Sequence, residues 1–72
     1  MRISEYITNK VGRMRARRHA TQEDMAKQVG VSRQTIIALE RGHYTPSVLL
    51  AIKVARYFGT TVDDVFSVHR EK

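Results

Sequence analysis

The sequence predicts an all-α fold, with five short helices around one core in a single domain spanning residues 1–72. Three observations carry that expectation. Apolar residues recur at three- and four-residue spacing in one segment after another. Gly30, Gly42 and Gly59 each follow such a segment and Pro46 precedes one, the usual punctuation of helix ends. Strand signals are poor, with no hairpin dipeptide and no long polar–apolar alternation.

Each element can be justified in order. The first helix is expected from Ser4 to Arg18, with Ile3, Ile7, Val11 and Met14 on one stripe and Gly12 as a weak point inside it. The second starts at Thr21 as cap. Glu23 and Asp24 suit the positive end of its dipole, Met25, Ala26 and Val29 face inward, and Gly30 ends it. The third takes Ser32 as cap, buries Ile36 and Leu39, and stops at Gly42. The fourth follows Pro46 and Ser47, with Val48, Ala51, Ile52, Ala55 and Phe58 as its buried stripe. The last is a turn or two from Thr61 to Phe66, with Asp63 and Asp64 in its first turn, and residues 67–72 are read as a tail.

Composition narrows the function. A chain of 72 residues supports one small core, and 42% hydrophobic residues are too many for a disordered tail. The absence of cysteine removes disulfide scaffolds, zinc fingers and thiol chemistry. Val48 to Ile52 is the longest apolar run, too short to span a bilayer, and Met1 to Glu5 leads into no apolar block. A cytoplasmic protein is therefore expected. His19, His43 and His69 show no metal-ligand spacing, so no metal or cofactor is expected. No nucleophile and base can be placed in one cleft, so no enzyme activity is expected.

Thirteen Lys and Arg stand against seven Asp and Glu, a net charge of +6. The excess peaks at Lys10, Arg13, Arg15, Arg17 and Arg18, a stretch without an acid. Such asymmetry suggests a polyanion, nucleic acid before an anionic membrane. The membrane reading fails because inward Val11 and Met14 interrupt the basic residues and no aromatic anchors accompany them.

Gly30-Val31-Ser32 alone join the second and third helices. So short a link forces a steep crossing, which is the helix-turn-helix arrangement. Ala26 supplies the small side chain at the close approach, Gly30 the positive φ, and Val31 tucks under the turn.

The ordered string Thr21-Gln22-Glu23-Asp24-Met25-Ala26, Val29 to Ile36 and Leu39-Glu40-Arg41-Gly42 resembles the lambda-repressor-like Cro/XRE family of bacterial and phage DNA-binding proteins. The likeness continues through Tyr44-Thr45-Pro46-Ser47, Ala51 to Ala55, Phe58-Gly59 and Asp63 to Phe66, and covers about residues 6–66. It is close to the small stand-alone regulators of that family. What it implies is a nucleoid-associated protein that binds double-stranded DNA, a transcriptional regulator acting as a homodimer, and a repressor because no activating domain is present. The alternative is a protein-interaction module, such as the antitoxin of a toxin pair, that also binds DNA.

Within that frame the third helix, about residues 33–41, is expected to read the major groove. Ile36, Leu39 and Glu40 fall on its core side, and Gln34, Ala38 and Arg41 opposite, flanked by Thr35 and Ile37. Arg33, Gln34 and Thr35 are candidates for base contact, since arginine suits guanine and glutamine suits adenine. Ile37 or Ala38 can meet a thymine methyl. The resemblance implies that Gln22 binds a phosphate and that Arg41, Gly42 and His43 meet the backbone. It also implies that Arg15 and Glu40 form a partly buried ion pair. Arg13, Arg17 and Arg18 are candidate phosphate contacts or simply a solvated face. Leu49, Leu50, Tyr57 and the last helix are a candidate partner surface or scattered surface apolar groups.

Overall fold

The computed structural model describes residues 4–71. Its elements are β1 (Ser4–Asn9), α1 (Val11–Arg17), α2 (Gln22–Val29), α3 (Arg33–Glu40), α4 (Val48–Phe58), α5 (Val62–Val65) and β2 (Phe66–Glu71). Five helices follow the expected order, but the fold is not all-α: β1 and β2 pair as a two-stranded antiparallel sheet.

The expected first helix is divided at Asn9. Its side-chain Oδ1 accepts the Val11 N–H at 3.0 Å, and its Nδ2 donates to the Leu39 carbonyl at 2.8 Å. The Lys10 N–H donates to the Val65 carbonyl at 3.0 Å. These bonds turn the chain before α1 and tie it to the ends of α3 and α5. Upstream, Tyr6-Ile7-Thr8 are aromatic and β-branched, which suits a strand. Ile7 therefore leaves the expected buried stripe and lies 38% exposed on the sheet, while Ile3 lies outside the described residues. The tail expected at 67–72 supplies the other strand, with α5 shortened to one turn because Phe66 is already extended.

Sheet pairing sets Tyr6 opposite His69, Ile7 opposite Val68 and Asn9 opposite Phe66. Alternation puts Glu5, Ile7 and Asn9 on one face with Arg70, Val68 and Phe66. The root of that face is Phe66, packed against the core, with half-buried Asn9 opposite it; Glu5, Ile7, Val68 and Arg70 are exposed. The sheet is thus a ribbon standing out from the helical body.

The helix starts are fixed locally. Thr21 makes a full capping box with Asp24: the Asp24 N–H donates to Thr21 Oγ1 at 3.0 Å, and the Thr21 N–H donates back to the Asp24 carboxylate at 3.4 Å. Ser32 and Ser47 cap α3 and α4 in the same way, accepting from the Thr35 and Leu50 amides. Gly30, at φ +84°, takes the left-handed conformation that ends α2. The core gathers Val11, Met25, Ala26, Val29, Ile36, Leu39 and Val65 with Leu50, Val54 and Ala55 of α4.

In α4 the buried stripe is rotated from the expected one. Leu50, Val54 and Ala55 are buried, while Val48 is 77% and Ile52 40% exposed. Leu50, expected on a partner surface, is core; Leu49 is 65% exposed. Lys53 and Arg56 mark the solvent side of α4 and leave Leu50, Val54 and Ala55 inward; a spacing counted from Val48, inside a run that is apolar at every position, gives the rotated stripe.

Candidate nucleic-acid interface

Three elements build the site: the start of α2, the whole of α3 and the loop after it. Because α3 packs Ile36 and Leu39 into the core, its other side faces outward. Arg33 and Gln34 are exposed at its first turn. Thr35, Ile37 and Ala38 are half-buried beside them. The Thr35 hydroxyl is hydrogen-bonded to Ser32 Oγ at 2.9 Å, so any base contact it makes would share that hydroxyl. Arg41, Gly42 and His43 follow as an exposed turn, held by the Arg41 N–H on the Ile37 carbonyl and the His43 N–H on the Ala38 carbonyl.

Beneath α3 lies a polar network. Arg15 of α1 grips Glu40 with two bonds, Nε to Oε2 at 2.6 Å and Nη2 to Oε1 at 3.1 Å. Its Nη1 donates to the Ala20 carbonyl at 2.9 Å. The hydrogen bond to Glu40 raises the guanidinium pKa above its already high ordinary value. Glu40 Oε1 also accepts from Gln22 Nε2 at 3.2 Å. One carboxylate thus joins α1, α2 and α3. Gly12 is what lets α1 come this close: a Cβ there would stand 3.3 Å from Glu40 Oε1.

An open cleft of about 720 Å³ lies against this network, lined by Arg15, His19, Ala20, Thr21, Gln22, Glu23 and Arg33. The first-turn amides of α2 open beside it, beyond reach of any intrahelical acceptor. Arginines, amides and a helix's positive end on one cleft favour an anionic group. His19 is there because the α1–α2 turn bends through it at φ +58°, a left-handed conformation that no other non-glycine residue among those described adopts. The sequence marks His19 only as a histidine without metal-ligand spacing and gives Asn9 no role; both act through chain geometry rather than a motif.

The arginines of α1 separate. Arg13 and Arg17 are exposed. Arg18, expected with them, is engaged elsewhere: it donates to the Tyr57 carbonyl at the end of α4 and lies 4.9 Å from the Tyr57 ring centre and 5.7 Å from that of Phe58. Among the described residues no cluster of His, Asp or Glu could hold a metal ion, and no helix is long and apolar enough to cross a membrane.

A helix-turn-helix family model matches residues 11–65, which spans all five helices. An uncharacterised helix-turn-helix transcriptional regulator of Methanocaldococcus jannaschii is 55% identical over 60 residues, 83% of this chain and 91% of that one. The uncharacterised regulator YgzD of Bacillus subtilis is 46% identical over 65 residues, 90% of this chain and 98% of that one. RstR, a transcriptional repressor of the cryptic phage CTXphi in Vibrio cholerae, is 28% identical over 85% of this chain and 55% of its own length. In three dimensions a crystal structure of a proposed DNA-binding protein from Bacteroides fragilis superposes with a TM-score of 0.75 at 23% identity, over 85% of this chain and 98% of that one. The chain belongs to the Cro/C1-type helix-turn-helix family. Its relatives come from archaea as well as bacteria, a wider range than the bacterial and phage one expected from the sequence.

Proposed function

We propose that the protein is a sequence-specific double-stranded DNA-binding transcriptional regulator, working in the cytoplasm as a homodimer and most simply as a repressor. One observation carries this reading. Arg33 and Gln34 are exposed at the start of α3, and Arg33 lines the cleft that already gathers Arg15, Gln22 and the amide end of α2. Base readers and a phosphate seat are therefore adjacent. Relatives named as transcriptional regulators, and one named as a repressor, support it.

In this reading Arg33 and Gln34 meet base edges, with Thr35, Ile37 and Ala38 lining the groove behind them. Gln22 spends one amide hydrogen on Glu40 and offers the other to a phosphate. Arg41, Gly42 and His43 hold the backbone beyond α3, with Arg13 and Arg17 as outlying cations. Arg18 is left out, because α4 holds it. Arg15 and Glu40 are structural.

The test is a binding titration against a site selected from a random duplex pool. Arg33→Ala and Gln34→Ala should each cost about 1–3 kcal/mol and relax preference at one base pair. Gln22→Ala should weaken every sequence alike. The log–log salt slope should fall by about 0.9 for each phosphate neutralised. A flat salt response would exclude DNA as the partner.

The exposed apolar residues Val48, Leu49 and Ile52 at the start of α4 favour a second reading, in which an antitoxin-like role adds a protein partner to DNA binding. Leu49→Lys separates the two, since it should abolish that partnership and leave DNA binding intact.

A further inference from the structure

The ribbon has two unlike faces. On one, Tyr6 stacks on His69 with ring centres 5.4 Å apart, and Thr8 Oγ1 hydrogen-bonds His69 Nε2 at 2.8 Å. On that face Tyr6, Thr8 and His69 find partners within the chain. The other face carries Ile7 opposite Val68, 38% and 67% exposed, with Glu5 opposite Arg70 farther out. It continues outward from Phe66, which is packed on the core. A lone two-stranded ribbon is marginal in water, and an outward apolar pair adds to its cost.

We infer that the Ile7–Val68 face is where a second copy of the chain docks, and that this contact makes the homodimer of the proposed function. The inference rests on that reading for its biological use and on the ribbon alone for its geometry. Symmetry makes the argument specific. A dyad running along the ribbon stacks two such faces so that β1 of each copy lies over β2 of the other. Residues that are neighbours across the strands then also become neighbours across the dyad. Ile7 meets the partner's Val68 and Glu5 meets the partner's Arg70, each twice. The face is therefore complementary to itself in both shape and charge, which a surface for an unrelated protein has no reason to be. The same dyad leaves both helical bodies at one end of the paired ribbons, as two readers on one duplex require.

Area sets the strength. Six residues extend about 20 Å and two strands span about 10 Å, so the face covers a few hundred Å² per copy, below the roughly 800 Å² of a standard interface. The free pair is accordingly weak. Adjacent half-sites on one duplex hold two copies at an effective concentration of about millimolar, and the contact closes there.

Charge swapping tests this on the full chain by sedimentation at rising concentration without DNA. Glu5→Arg leaves only cations at the two places, and Arg70→Glu only anions. Each variant alone should self-associate about tenfold more weakly than the parent chain. Their equimolar mixture should regain parental association, because cationic ribbons then meet anionic ones. A pair that acts only within one chain is broken in both variants and is not repaired by mixing, so absence of recovery overturns the proposal. A parent chain that stays monomeric at millimolar concentration overturns it too. Val68→Lys should abolish association with helical circular dichroism unchanged, while Leu49→Lys should leave it intact. The reverse result would move the interface to α4. Val68→Lys should still bind a half-site duplex at parental strength. Failure of the parent chain itself on that duplex would sink the DNA reading and leave the ribbon result standing.

Discussion

The α2–α3 turn and the β1–β2 ribbon are built by opposite means. In the turn every instruction is local: Thr21 caps with Asp24 three residues on, Gly30 turns left-handed, and Ser32 caps with Thr35 three residues on. In the ribbon every partner is remote, with Ser4 opposite Glu71 and Asn9 opposite Phe66. The turn is buttressed from beneath by the Arg15–Glu40–Gln22 network, and its apolar residues lie in the core. The ribbon is rooted at Phe66 and Asn9, and elsewhere faces solvent. The reader is thus held by short-range chemistry and a partly buried brace, while the arm is held by long-range pairing with little burial.

The sharpest way to break that contrast is to remove the brace. Arg15 and Glu40 side chains are 19% and 12% exposed, so most of their hydration is lost on folding. Glu40→Ala would leave the guanidinium partly buried with the Ala20 carbonyl as its remaining partner, and would free Gln22. The expected cost is about 2–4 kcal/mol, measured by urea unfolding. Replacing both residues with apolar ones should cost less. An unchanged melting temperature in Glu40→Ala would mean that the network does not brace the reader.

A smaller effect is expected at the arm. Thr8→Pro removes both a pairing amide opposite Ser67 and the hydroxyl bonded to His69, and should cost about 1–2 kcal/mol. Amide exchange should separate the regions before any mutation, with ribbon amides opening at far lower free energy than those of α2 and α3. Ribbon amides as protected as those of α3 would show that arm and body unfold as one unit.

The same contrast explains what was legible in the sequence. Thr21, Gly30 and Ser32 announce themselves because the residue and its consequence lie within one turn of chain. Met25, Ile36 and Leu39 are legible because charged neighbours fix which side of their helices is apolar. Ile7 is not legible, because an apolar residue four before Val11 fits a helix as well as a strand, and its partner Val68 is distant in sequence. The α4 stripe differs for another reason: its first turns are apolar at every position, and its phase is set only by Lys53 and Arg56 farther along, which leave Leu50 and Val54 rather than Val48 and Ile52 to pack against α2 and α5. At the candidate site, the outward position of Arg33 and Gln34 follows from the α3 periodicity. The capture of Arg18 by α4 does not, because it depends on where the C-terminus of that helix lies.

Gly12 offers a test of intermediate size that opposes two local rules. Alanine would favour the α1 helix by up to about 1 kcal/mol. Its Cβ would also press on Glu40 Oε1 at 3.3 Å, and that carboxylate cannot retreat while Arg15 and Gln22 hold it. Gly12→Ala should therefore destabilise modestly, by about 1 kcal/mol or less. In a Glu40→Ala background the sign should reverse, since the obstruction is gone. A stabilising Gly12→Ala in the parent chain would show that the brace yields.

The smallest expected effect lies where body and arm join. Asp64 sits in the single turn of α5, one residue before Val65, whose carbonyl receives Lys10 and so roots the ribbon. Its carboxylate accepts the Thr60 hydroxyl, and its amide donates to the capping Thr61 Oγ1 at 3.3 Å. The Thr60 hydrogen bond, with further help from Thr61, holds the Asp64 carboxyl below the usual aspartate range. A carboxyl whose folded pKa is depressed binds fewer protons folded than unfolded. Its contribution is therefore complete above the unfolded value, near 3.9, and is lost as pH falls through the folded value below it. Because Asp64 is fully exposed, the loss should be slight and confined to the root of the arm. Asp64→Asn should flatten the acid limb of the stability curve below about pH 4 by lowering the neutral plateau by the same slight amount, the two curves meeting at the acid end. Amide exchange of β2 on acidification should quicken in the parent chain more than in Asp64→Asn, while α2 and α3 respond alike in both. If instead the α3 amides loosened with those of β2, the turn and the ribbon would be coupled through α5, and the division between a braced reader and a loosely rooted arm would fail.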